Sequence, residues 1–391
     1  MSGSARAQAK EAEKEHVVAM SSASTPTGRL TSLDVFRGLT VAGMILANNG
    51  SGPTYAPLRH AEWDGWTPTD LIFPSFLFIV GVSITFALTK RIATADGRRG
   101  VVGKIVRRSL ILFGLGIVFA GFPRYDNWAT IRIPGVLQRI ALCYLATSLI
   151  FLVTRVRGQV VALLGLLVGY WALMTYVRVP EFGAGDWARG HDLGSYLDRL
   201  LLAGHIYKND YDPEGLLSTL PSIATTLLGV LAGHWLRSDR DRDATVSALF
   251  VAGTFLVIAG SSWDAWFPIN KALWTSSFVL LAGGWSSIGL AVCFWLVDIQ
   301  GYRRWAVPFR ALGTNPITAY ALAALAARLL NMPYLKSEGN ELISVHSAYF
   351  NGYLAPNLAP MNASLAYAGS ILVGCLLVVW IMDLLHLHVR A

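Results

Sequence analysis

Apolar runs close to 20 residues recur along nearly the whole chain, and each is long enough to cross a hydrocarbon core of roughly 30 Å at ~1.5 Å per helical residue. Taken between polar or Gly- and Pro-rich breaks, the runs place candidate spans near 33–49, 70–89, 108–121, 135–153, 159–177, 215–236, 245–261, 272–298, 305–330 and 364–388. The expected fold class is therefore all-α: a polytopic integral membrane protein with about ten transmembrane helices. Composition agrees, because 54% of the 391 residues are hydrophobic and only 14% are charged, too little charged surface for a soluble domain of this length. Thirteen Trp and fourteen Tyr suit belts at the two membrane interfaces.

Several function classes drop out. Cys143, Cys293 and Cys375 all lie inside apolar runs, with no CxxC and no His-Cys cluster, so neither a metal site nor a disulfide framework is expected. The net charge of +8 is dispersed over loops rather than gathered on one soluble face, which argues against nucleic acid. No Walker or GxGxxG loop is present to receive ATP or NAD. Residues 1–28 are polar and lack the apolar core of a signal peptide, so they read as a disordered cytoplasmic tail before a membrane domain over 29–391.

Orientation follows from the basic residues, which resist translocation. With the N-terminus inside, the inner segments hold 20 of the 32 Lys and Arg and the outer segments 9, while Arg37, Arg139 and Arg328 fall within spans. Both termini are expected in the cytoplasm, which puts longer loops near 50–69, 178–214 and 331–363 outside. The 178–214 loop carries Glu181, Asp186, Asp192, Asp198, Asp210, Asp212 and Glu214, and reads either as a surface for a polar or cationic ligand or as a plain solvated loop. Gly165 with Gly169, and Gly229 with Gly233, form GxxxG pairs that let helices approach closely or simply sit in a lipid-facing run.

The densest polar constellation follows the first span. Asn48 and Asn49 close it, Asp70 opens the second span, and His60 lies in the loop between. An imidazole there can take a proton from an amine or hydroxyl, or attack an acyl carbon itself. An Asp can fix its tautomer, and an Asn amide can donate to an oxyanion. The plainer alternative makes His60 an interfacial polar residue, Asp70 the N3 acid of the helix start Thr67-Pro68-Thr69-Asp70, and the asparagines a helix end. Arg37 and Arg139 lie in apolar runs, where a charge is costly unless it snorkels or finds an anion. Arg37 can pair with Asp34 three residues earlier. Alternatively, both arginines bind phosphates of a nucleotide-bearing donor toward the cytoplasmic half, helped by the basic 90–108 loop. Pro316 should break the ninth span, and freed carbonyls are tolerated only against protein or a hydrated cavity.

The segments SLDVFRGLTVAGMILANN, HAEWDGWTPTDLIFPSFLFIVGVS, PGVLQRIALCYL, DPEGLLSTLPSIATTLLGVLAG and NKALWTSSFVLLAGGW resemble the heparan-α-glucosaminide N-acetyltransferase family, over about residue 29 to the C-terminus. The resemblance implies transfer of acetyl from cytosolic acetyl-CoA across the membrane to the amine of a terminal glucosamine. It carries a catalytic histidine onto His60, an essential asparagine onto Asn48, with Asn49 as its rival, and the helix-start aspartate onto Asp70. The chain looks like a short, bacterial-type member without the lysosomal form's N-terminal lumenal domain and extra span, so a bacterial inner membrane is expected. A peptidoglycan, lipopolysaccharide or chitin-derived amino sugar is then the expected acceptor. The expected partners are acetyl-CoA, that acceptor, the lipid bilayer and a second copy in a homodimer. Broken spans and polar groups at mid-depth also fit an amino-sugar transporter, and an O-acyltransferase would differ only in the acceptor atom.

Overall fold

The computed structural model describes residues 30–92, 97–122, 128–336 and 342–387. The tail expected over 1–28 and residues 93–96 of the basic 90–108 stretch lie outside the described residues. The apolar runs fold as helices: α1 Thr31–Asn48, α2 Ile72–Ile92, α3 Gly97–Gly121, α4 Val136–Val153 and α5 Val156–Tyr176. A short α6, Leu193–Leu201, precedes α7 Thr219–Leu236, α8 Arg242–Trp263, α9 Ser276–Cys293, α10 Val307–Thr314, α11 Pro316–Leu329 and α12 Pro360–Leu384. Among the described residues the only sheet is an antiparallel pair, β1 Pro333–Lys336 and β2 Leu342–Ser344.

The all-α membrane architecture stands, and 7 helical stretches are long and apolar enough to cross a bilayer. The remaining expected spans fall short of that standard for visible reasons. α1 carries Asp34 and Arg37, and the ninth run is broken at Pro316 into α10 and α11. The third run starts earlier than hydropathy suggests. Val101 and Ile105, four residues apart and fully buried, give the basic segment an apolar helical face. Lys104, Arg107 and Arg108 therefore stand exposed on a helix rather than in a loop.

Helices α2 and α7 meet almost backbone to backbone. A Cβ at Gly81 would come within 1.9 Å of the Thr226 carbonyl oxygen, and one at Gly229 within 1.9 Å of that of Phe78. A Cβ at Gly233 would come within 2.5 Å of the Thr85 hydroxyl, so this GxxxG pair serves close packing. Gly165 and Gly169 on α5 have nothing within 4 Å, which is the permissive case. Asp34 and Arg37 tie three helices together. The Arg37 guanidinium donates to the Asp34 carboxylate at 2.9 Å, to the Gly313 carbonyl of α10 at 3.0 Å and to the Ser83 hydroxyl of α2 at 2.9 Å.

Candidate active site

The stretch from Asn48 to Ile72 folds as a packed loop over one end of the bundle, pinned by its own hydroxyls. Thr67 Oγ1 donates to the Arg59 carbonyl at 2.7 Å and Thr69 Oγ1 to that of Pro57 at 2.8 Å. Thr67, Pro68 and Asp70 form the capping box expected of them, in a 3-10 turn over Pro68–Leu71 that runs into α2. Asp70 divides its two oxygens between two tasks. Oδ2 accepts from the Thr67 N–H at 2.9 Å and the Ala61 N–H at 3.1 Å, which caps the helix and closes the loop. Oδ1 lies 2.6 Å from His60 Nδ1, so the acid that starts the helix also orients the imidazole. A carboxylate partner at Nδ1 favours the tautomer with the proton there and the lone pair on Nε2. Asp70 is buried, with 1% of its side chain exposed, whereas His60 is half exposed at 50%, the asymmetry expected of a held base that must meet an incoming group.

A third residue, from the segment NKALWTSS, joins this pair. Lys271 Nζ lies 3.0 Å from His60 Nδ1 and 3.3 Å from Asp70 Oδ1. Burial pushes its ammonium below the usual lysine range, and the Asp70 carboxylate opposes that shift. The turn that carries it is strongly bonded. Asn270 Oδ1 accepts from the Leu273 N–H at 2.9 Å, Asn270 Nδ2 donates to Asp64 at 3.2 Å, and the Gly65 N–H donates to the Ile269 carbonyl at 2.7 Å. Trp274, buried with φ of 54°, occupies the left-handed region that a bulky residue adopts only when its surroundings hold it there.

Below this turn sits Arg139. It lies in the first turn of α4, its guanidinium stacks over Trp274 at 5.2 Å, and one Nη donates to the Gly215 carbonyl and the Ser218 hydroxyl. It therefore belongs to the His60 end of the bundle, away from the half where the sequence reading placed it with Arg37. Helix register explains the separation: Arg37 is eleven residues before Asn48, about 16 Å of α1. Arg139 is 1% exposed, and its Nε and remaining Nη have no hydrogen-bond partner among the described residues.

The two asparagines differ. Asn49 is buried and its amide donates to the Ile45 carbonyl at 2.8 Å, a helix-end bond. Asn48 is exposed, and both line a cavity of about 210 Å³ with Tyr320 and Arg328. No hydrogen bond joins Asn48 to His60 among the described residues. A wider hollow of about 500 Å³ opens beside Tyr55, Arg59 and Asn362.

In the acidic 178–214 loop Glu181 is exposed and Asp186 and Asp210 are part-exposed, so the plain solvated reading fits only part of it. Asp192, Asp198 and Asp212 are buried and hold the loop to itself. Asp192 caps α6 through the Ser195 N–H at 2.9 Å, and Asp198 accepts from the Leu216 N–H at 2.8 Å. Asp212 pairs with Arg132, whose guanidinium is raised above the usual range by Asp212 and Glu214 although burial works the other way. Burial pushes the Asp198 carboxyl up to about 6, with Asp212 adding to the shift and the Leu216 N–H and Arg139 opposing it. The folded loop covers the site's flank, where Trp63 donates to the Trp187 carbonyl at 3.0 Å.

A buried Asp–His pair with a half-exposed imidazole is suited to proton transfer or acyl capture. Among the described residues no group of His, Cys, Asp and Glu is arranged to hold a metal. The chain is similar to two curated proteins, both named heparan-α-glucosaminide N-acetyltransferase. The mouse protein is 30% identical over 349 residues, covering 75% of this chain and 53% of its own length. The human protein is 31% identical over 352 residues, covering 75% and 52%. The chain thus spans about half the length of the curated relatives it matches. The family model for the catalytic region of heparan-α-glucosaminide N-acetyltransferase matches residues 29–262, which include Asn48, His60, Asp70 and Arg139, and the chain belongs to that family.

Proposed function

We propose that this chain is a transmembrane acetyltransferase that moves acetyl from acetyl-CoA to the amine of an amino sugar, with the chemistry at the His60 end of the bundle. The observation that carries the reading is the 2.6 Å contact between His60 Nδ1 and the buried Asp70 in a half-exposed imidazole, a pairing that favours the tautomer with its lone pair on Nε2. A glucosamine-type amine attacks the thioester carbon, the amine's proton passes to His60 Nε2, and His60 hands that proton to the departing CoA thiolate, so that CoA leaves as the thiol. Alternatively Nε2 first takes the acetyl group and passes it to the amine; both routes use the same lone pair. Asn48, whose amide has no hydrogen-bond partner among the described residues where that of Asn49 is spent on a helix end, donates to the oxyanion. The unpartnered N–H groups of Arg139 suit an anionic part of the donor near the reacting end. Arg37 makes the ion pair that its spacing from Asp34 allows.

The membrane domain begins near residue 29, and both termini face the cytoplasm, as the 20 to 9 split of basic residues supports. In a bacterial inner membrane this sets His60 on the extracytoplasmic side, where a cell-envelope amino sugar arrives. Incubating the purified protein with radiolabelled acetyl-CoA and a panel of amino sugars and their O-linked analogues tests class and acceptor together. Label transferred to an amine supports the proposal, and label on a hydroxyl makes the chain an O-acyltransferase. Uptake of sugar without any transfer would make it a transporter. Reporter fusions after residues 100 and 240 that mark the outer side would overturn the orientation.

A further inference from the structure

We propose that Lys271 is a positioning residue for His60: its ammonium shares the Asp70 carboxylate with the imidazole, so that the imidazole stays neutral with its Nε2 lone pair available. The inference rests on the acetyltransferase reading for its purpose, though not for its geometry. Three groups from two distant parts of the chain meet within 3.3 Å, with Lys271 and His60 211 residues apart in sequence. A lone carboxylate beside an imidazole draws a second proton onto the ring, and an imidazolium can act neither as base nor as nucleophile. A cation on the same carboxylate oxygen cancels that pull while leaving the oxygen free to orient Nδ1–H. The triad is then neutral overall in its working state, with one positive, one negative and one uncharged member.

Lys271 is not a loose surface lysine that happens to touch the pair. Its side chain is 23% exposed, and the turn that carries it is bonded to the His60 loop through Gly65 and Asp64. The charged groups around it are Asp70 from the start of α2 and, acting at longer range, Glu214 from the segment before α7. Arg59 and Glu62 flank His60 in its own loop. Since Asp70 is the only acid bonded to either His60 or Lys271 among the described residues, removing the ammonium leaves a single uncompensated carboxylate against the ring.

The test uses the full chain in lipid nanodiscs and two readouts. Diethyl pyrocarbonate modifies only the neutral imidazole, so its rate at His60, followed against pH by peptide mass spectrometry, reports ring charge without acetyl-CoA or acceptor. The second readout is the acid limb of kcat/KM. Lys271→Met should move both midpoints to higher pH by about one unit, which is a tenfold loss below the limb and little change above it. Lys271→Arg, which keeps the charge, should hold the wild-type midpoint. An unshifted midpoint in Lys271→Met, or an equal shift in Lys271→Arg, overturns the proposal. If Lys271→Met does not fold, Lys271→Gln carries the same comparison. If Lys271→Met shows the modification shift while the wild-type protein transfers no acetyl, the acetyltransferase reading is refuted and the role of Lys271 stands.

Discussion

Of the three arginines inside apolar runs, the structure treats Arg37 and Arg139 in opposite ways. Arg37 spends its guanidinium on a carboxylate, a hydroxyl and a backbone carbonyl, and so clamps α1, α2 and α10 together. Arg139, more deeply buried, bonds through one nitrogen and stacks on Trp274, while its other two nitrogens find no hydrogen-bond partner among the described residues. Buried donors are nearly always satisfied, and an intramembrane charge is costly, so an arginine with unused N–H groups marks a place where a ligand or water completes the shell. The same contrast separates the two ends of the bundle. Around Arg37 the charged groups close on one another, while the other end leaves a half-exposed imidazole, an exposed asparagine and an incompletely bonded guanidinium.

If that contrast divides function from cohesion, substitutions at the His60 end should cost turnover and those at the Arg37 end should cost stability. The largest effect is expected from His60→Ala: transfer from acetyl-CoA falls on the order of 10²-fold or more, with donor binding and thermal midpoint near wild type. Near-normal turnover in the folded variant would remove His60 from the chemistry. Asp70→Asn should lower both turnover and stability, because its two oxygens serve the imidazole and the helix cap separately.

The arginines themselves come next. Arg139→Met should raise the acetyl-CoA KM about tenfold, the loss of one charge-assisted contact worth ~1.5 kcal/mol. Arg37→Met should leave that KM alone and lower the thermal midpoint, because it takes the guanidinium away from a buried Asp34. Adding Asp34→Asn to Arg37→Met should recover part of the loss, since the carboxylate that lost its guanidinium is then uncharged. A donor KM that rises equally for both variants would erase the distinction and return Arg37 to the donor site.

Much of this was legible in the sequence because it is local. The capping box at Thr67–Asp70 is a four-residue pattern, and it placed Asp70 where Oδ1 could also reach His60. Lys271 was invisible for the opposite reason. Its contacts with His60 depend on how α9 packs against α2, and nothing in NKALWTSS distinguishes it from any loop lysine. The acidic loop misled because carboxylates near a membrane surface look solvated, whereas Asp192, Asp198 and Asp212 fold inward onto N–H groups and Arg132. The two GxxxG pairs share the same spacing, and the neighbouring helix decides that Gly229 is packed and Gly165 bare.

The smallest effect, and the one that probes the Arg139 environment most gently, is a dependence of stability on pH through Asp198. Its carboxyl is buried against Gly215, where a Cβ would meet Oδ2 at 1.8 Å, and burial pushes it up to about 6 from an ordinary value of 3.8. A folded-state value above the unfolded one means that the folded protein keeps its proton longer. The group costs nothing well below pH 3.8, costs progressively more as pH rises toward 6, and adds a constant penalty above that. Asp198→Asn keeps an oxygen for the Leu216 N–H and has no proton to lose. The difference in thermal midpoint, variant minus wild type, should therefore grow by a few degrees between pH 4 and pH 6 and then level off, which differential scanning fluorimetry across that range would measure. Because Arg139 opposes the shift, Arg139→Met should make the rise steeper and carry it to higher pH. A flat difference in both backgrounds would show that water reaches Asp198, and that this end of the bundle is less closed around Arg139 than its burial indicates.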